Sequence, residues 1–152
     1  MGQQLEDTLL NLIEIPSITK NEKEICDRVE ELVRARFAET MFSLTVQRIG
    51  NSLIVAGPFR GNRQTISFGG HLDTVPPPPS GTTVSKLNDR IIGLGASDMK
   101  GGIAVMLELL TEQILDASRF NIMYFFYDAE EGPHGQQGLI RILAESTLLQ
   151  KS

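Results

Sequence analysis

The 152-residue sequence contains one cysteine, no tryptophan and only two histidines, His71 and His134. A lone Cys26 excludes an internal disulfide framework and suits a reducing compartment. No apolar run approaches the ~20 residues needed to span a bilayer. The N-terminal MGQQLEDTLL lacks a basic segment followed by an apolar one and does not read as a secretory signal. Positive charge is also scarce: 14 Lys and Arg against 19 Asp and Glu leave a formal net charge of -5. That balance supplies no basic field for nucleic acid or an anionic membrane. The expectation is a cytoplasmic protein with neither of these as partner.

What is present is an ordinary globular balance, 41% hydrophobic and 22% charged, in a chain long enough to bury a core. No repeat or Gly/Ser linker divides it. Leu5, Leu9, Leu12 and Ile13 share one helical face over residues 4–14, and Pro16 ends the pattern. Thr19 and Glu22 have the spacing of a capping box, ahead of a second amphipathic helix through Ile25, Val29, Leu32, Val33 and Phe37. Strand character follows at Phe42–Ile49, Ser52–Ala56 and Thr65–Phe68, with Gly50-Asn51 as a hairpin turn. Pro76–Pro79 predicts a stiff extended loop. A small ribbon is expected from Thr82–Ser85 and Arg90–Ile92 around Asn88-Asp89. Ile103–Leu115 reads as one buried helix, Asn121–Tyr127 as a central strand covered on both faces, and Gln136–Glu145 as a final helix. Helices alternating with buried strands predict a three-layer α/β/α architecture, in which ligands gather at the carboxyl ends of central strands.

Three polar clusters fall at such strand exits or in the connecting loops: His71-Leu72-Asp73, Asp98 within GLGASDMKGG, and Glu130-Glu131. Singly, each has a bland interpretation: a hydrogen-bonded histidine, a helix N-cap, a solvated loop. Jointly they supply imidazole nitrogen and carboxylate oxygen, the donors of a thiol-free zinc site. His71 is read as a ligand, with Asp73, two residues on, as the acceptor that orients its ring. Asp98 has two oxygens with which to bridge two cations. The Glu130-Glu131 pair offers one carboxylate for metal and one for proton transfer. The glycines around Asp98 lack the Gly-Lys-Ser/Thr ending of a phosphate loop and are read as letting the backbone turn beneath the site. His134, among Gly132, Pro133 and Gly135, is read as a surface histidine, Cys26 as core, and Asp128 receives no role.

GGHLDTVP (69–76), GLGASDMKGG (93–102) and AEEG (129–132) resemble the signatures of the di-zinc aminoacylase and carboxypeptidase family. That family includes succinyl-diaminopimelate desuccinylases, acetylornithine deacetylases and dipeptidases. YDAEEGPHGQQGL (127–139) looks most like the first of these. The resemblance implies a zinc-exopeptidase fold and hydrolysis of the amide of an N-acyl amino acid or dipeptide. It implies His71 and Glu131 as ligands of separate zincs, Asp98 as their bridge, Glu130 as general base and Asp73 as the partner of His71. Co2+ or Mn2+ would be substitute metals. A cis peptide at Asp98-Met99 is also implied. Ala129 stands where the family often has a further acidic residue.

Residues 1–152 would then be the N-terminal part of the catalytic domain. An inserted dimerising domain and the rest of the catalytic domain, with two further ligands, would lie outside it. Weak or single-metal binding and little turnover are expected of this chain alone, and a non-catalytic metal-binding or interaction module is the alternative.

Overall fold

The computed structural model describes residues 2–38 and 40–149. Two helices open the chain, α1 (Gly2–Glu14) and α2 (Lys23–Phe37). The hairpin β1 (Thr45–Ile49) and β2 (Ser52–Ala56) follows, then β3 (Thr65–His71) and the ribbon β4 (Ser85–Leu87) with β5 (Arg90–Ile92). A wide turn at Ala96–Lys100 leads into α3 (Gly101–Leu109), α4 (Glu112–Ala117), β6 (Asn121–Tyr127) and α5 (Gly138–Glu145).

The main sheet has the order β1-β2-β6-β3. β1, β2 and β6 pair antiparallel in turn, whereas β3 lies parallel to β6. Alternation along the two central strands sends side chains to opposite faces. Leu53, Val55, Tyr124 and Phe126 join the core beneath α1, α2 and α3. Ile54, Ala56, Met123 and Phe125 instead pack with Ile142 of α5. Helices on both faces of one sheet make the three layers expected. β6 is covered on both sides, and Cys26 lies in the core with its thiol pushed up to about 12 by burial. Among the described residues no helix is long and apolar enough to cross a membrane.

Several local expectations are corrected. β1 starts at Thr45 rather than Phe42, the first ribbon strand lies at Ser85–Leu87 rather than Thr82–Ser85, and β3 extends beyond Phe68 to His71. The single helix predicted over Ile103–Leu115 is two. It breaks at Leu110-Thr111, because the Thr111 hydroxyl caps α4 by accepting from the Ile114 amide at 3.3 Å. α5 begins at Gly138 after a short 3-10 turn at His134–Gln136. Thr19 and Glu22 form no capping box: the Thr19 hydroxyl reaches across the fold to Asp73, and Glu22 accepts from the amides of Lys20 and the distant Ala129.

Candidate metal centre

Because β3 and β6 run parallel and in register, with His71 opposite Tyr127, the chain leaves both strands at one edge of the sheet. The Leu72 amide donates to the Tyr127 carbonyl at 2.7 Å and carries the ladder one residue further. This brings 71–74 beside 128–132, though 57 residues separate Asp73 from Glu130. The third element is the turn bearing Asp98. It opens at Gly95, whose φ of 76° favours glycine, and closes with the Lys100 amide donating to the Gly95 carbonyl at 2.8 Å. The Asp98-Met99 peptide is cis, as the resemblance implied. From that turn Asp98 reaches back to the end of β3.

The polar atoms converge. His71 Nε2 lies 2.9 Å from Asp98 Oδ1. One donor atom each from His71, Glu130 and Glu131 lies within 4.8 Å of the others. The imidazole is buried, whereas the Asp98 side chain is 75% exposed, so the group opens to solvent on the Asp98 side. Burial works against a charged His71 ring, but hydrogen bonds with Asp73 and Asp98 outweigh it and hold its pKa up at about 9. Asp98 touches the His71 ring but is not in that group of three; an imidazole nitrogen with the carboxylates of Glu130 and Glu131 is a donor set that fits a hard-to-borderline divalent cation.

Asp73 does more than orient a ring. Its carbonyl stands 3.0 Å from His71 Nδ1, nearer than its own carboxylate at 3.5 Å. The carboxylate, 0% exposed, accepts the amides of Glu130 and Glu131 at 3.0 Å each and the Thr19 hydroxyl at 2.8 Å. Burial alone would raise this carboxyl, yet these bonds and His71 hold it below the ordinary aspartate value. Asp73 therefore joins the two strand exits to each other. Thr19 and Glu22, read from spacing as a helix cap, turn out to support this region, and no local signal distinguishes the two uses.

Asp128, given no role from sequence, is buried. It accepts from Ser52 Oγ at 2.7 Å and from Arg141 Nη2, tying the end of β6 to β2 and α5. Lys100 is also buried, and its Nζ donates to the Ile15 carbonyl at 2.6 Å. His134 is exposed, and it is not in the group of donors. A cleft of about 740 Å³ opens beside the centre, lined by Thr74, Thr82, Ile92 and Leu94 and by the carboxylate-bearing Asp98 and Glu131.

Comparison with known proteins identifies the family and the fold. Residues 67–151, more than half of the chain, match the model of peptidase family M20/M25/M40. A Mycobacterium tuberculosis protein provisionally assigned as a succinyl-diaminopimelate desuccinylase is 36% identical over 135 residues, covering 88% of this chain and 36% of the relative. The chain thus spans about a third of such a relative's length. A tripeptidase from Staphylococcus aureus superposes with a TM-score of 0.64 at 25% identity over 86% of this chain and 37% of its own. A dinuclear metal-binding peptidase from Bacillus subtilis shares the fold with a TM-score of 0.64 at 14% identity, over 93% of this chain and 38% of its own. With strand exits, motifs and fold in agreement, the chain belongs to the M20/M25/M40 peptidase family.

Proposed function

We propose that this chain is the metal-binding part of a hydrolase that cleaves the amide bond of an N-acyl amino acid, with a succinyl-diaminopimelate desuccinylase as the nearest kind. The observation that carries the reading is the meeting of His71, Glu130 and Glu131 at one sheet edge, with Asp98 in contact with the His71 ring. In this reading His71, Asp98 and Glu131 would hold the metal, which would be zinc, with Co2+ or Mn2+ as substitutes. Bound there, the cations would polarise the amide carbonyl and acidify water.

The chain's own residues have distinct tasks. Glu130, its amide anchored on Asp73 Oδ1, takes a proton from the attacking water and returns it to the leaving amine. Asp73 keeps the His71 ring facing the site and holds the Glu130-Glu131 backbone. The adjoining cleft is of a size that suits a small acyl amino acid. Similarity to the Mycobacterium protein favours a succinyl substrate, and acetylornithine and dipeptides, which the motif resemblance also allows, are the alternatives. The remaining ligands and a dimerising domain belong, in this proposal, to the parts of such proteins outside residues 1–152.

Calorimetric titration of metal-stripped protein with Zn2+ tests the centre, with His71→Ala as control. Binding that vanishes in the variant supports it; wild-type protein that takes up no Zn2+ overturns it. Hydrolysis of N-succinyl-diaminopimelate, N-acetylornithine and a dipeptide, with and without the remaining catalytic segment of a family relative added, tests the reaction. Metal uptake with no hydrolysis of any substrate would instead support the non-catalytic module.

A further inference from the structure

We propose that Glu22 is a positioning residue for the Glu130-Glu131 pair, acting through the connection between α1 and α2; the proposal rests on the metal-centre reading above. Glu22 is 1% exposed, and among the described residues no cationic side chain forms an ion pair with it. A buried carboxylate without such a partner is costly unless hydrogen bonds satisfy it. Its Oε1 accepts from the Lys20 amide at 2.6 Å and from the Ala129 amide at 3.3 Å. Lys20 and Ala129 are two of the three non-glycine residues with positive φ among the described residues, at 81° and 57°. Such a conformation is disfavoured for an L-residue and persists where its surroundings enforce it. One oxygen therefore sits over both left-handed residues, joining the α1–α2 connection to the residue just before Glu130.

Asp73 completes the arrangement. The amide of Ala129 goes to Glu22, and those of Glu130 and Glu131 go to Asp73. Three successive N–H groups are thus held by two buried carboxylates, in the manner of a backbone nest around an anion. Captured this way, the backbone sets the directions in which the Glu130 and Glu131 side chains leave it.

The connection also touches the other two segments of the centre. Thr19 donates its hydroxyl to Asp73 and its amide to the Thr74 carbonyl at 3.2 Å, and the Thr74 amide donates to the Ser17 carbonyl at 2.9 Å. The Ile15 carbonyl accepts Lys100 Nζ, two residues from Asp98. Residues 15–22 therefore brace all three segments that bear site residues. Glu22 is the member that braces the one carrying the glutamates.

The test compares wild-type protein with Glu22→Gln, Glu22→Ala and Glu22→Asp, all metal-stripped. Each is titrated with Co2+ and followed by calorimetry and by the visible absorption of the bound ion, with urea unfolding measured in parallel. Glu22→Ala is expected to lose about 10-fold or more in Co2+ affinity and to change the absorption band, as for other groups that orient ligands. Glu22→Gln keeps an acceptor oxygen and is expected to stay within about threefold of wild type. Should Glu22→Ala fail to fold, Glu22→Asp decides, because its shorter side chain cannot span both amides: lost Co2+ affinity in the folded variant supports the proposal, and wild-type affinity and spectrum overturn it. A folded Glu22→Ala protein with wild-type affinity and spectrum overturns the proposal, even if it is less stable. Wild-type protein that binds no Co2+ overturns the metal centre itself, so the two failures are distinguishable.

Discussion

Replacing Asp73 probes the link between the two strand exits, and its consequence can be worked from the contacts. Asp73→Ala removes the acceptor of two backbone amides at 3.0 Å and one hydroxyl at 2.8 Å, all on a side chain with no exposure. Hydrogen bonds to a charged group contribute about 1.5–3 kcal/mol each. Glu130 is only half-buried and Glu131 is exposed, so water can reach part of what is orphaned and the lower end of that range applies. Three such bonds sum to about 4.5 kcal/mol. Asp73→Asn keeps one oxygen but points an amide at donors, for a loss of about 2 kcal/mol. Against a total stability of about 5–15 kcal/mol, the alanine variant should be markedly weakened.

Urea unfolding of metal-stripped protein, followed by circular dichroism, measures both values. The pH dependence supplies an internal check. Asp73 has a lowered pKa in the folded state, so its contribution is present above the ordinary value of about 3.9 and is lost as pH falls below it. The gap between wild type and Asp73→Asn should therefore close in acid. An alanine variant within about 1 kcal/mol of wild type at neutral pH would refute the reasoning.

Two further predictions concern parts of the fold that hold the centre in place. A Cβ at Gly138 would lie 1.9 Å from Asp128 Oδ1 and 2.7 Å from Ser52 Oγ. Gly138→Ala should therefore displace the Asp128 carboxylate, cost about 3 kcal/mol and lower the melting temperature; an unchanged melting curve would contradict this. Burial pushes the Cys26 thiol up to about 12, so it should resist a thiol reagent at pH 8 until the protein unfolds. Because the unfolded thiol ionises first, stability should fall as pH rises from about 9 towards 12, which unfolding measured across that range would register.

What the chain wrote locally is considerable. The apolar spacing of 5–13 and 25–37 specifies two amphipathic helices, Gly50-Asn51 specifies a hairpin, and NIMYFFY specifies a strand buried on both faces. These are nearest-neighbour properties, visible as periodicity and turn chemistry. The three motifs also marked His71, Asp73, Asp98, Glu130 and Glu131 before any coordinates, since each falls in a loop or at a strand exit. Local rules failed where a distant partner outcompeted a near one. Thr19 and Glu22 have capping-box spacing, yet the Thr19 hydroxyl goes to Asp73, and Glu22 shares its oxygen between the nearby Lys20 amide and the distant Ala129 amide. Asp128 carried no signal because Ser52 and Arg141 are distant in sequence. Only the parallel register of β3 with β6, a pairing across more than 50 residues, brings the histidine to the glutamates. Periodicity tells a strand which face to bury; it does not tell it which strand to lie beside. That choice is made by the whole core at once.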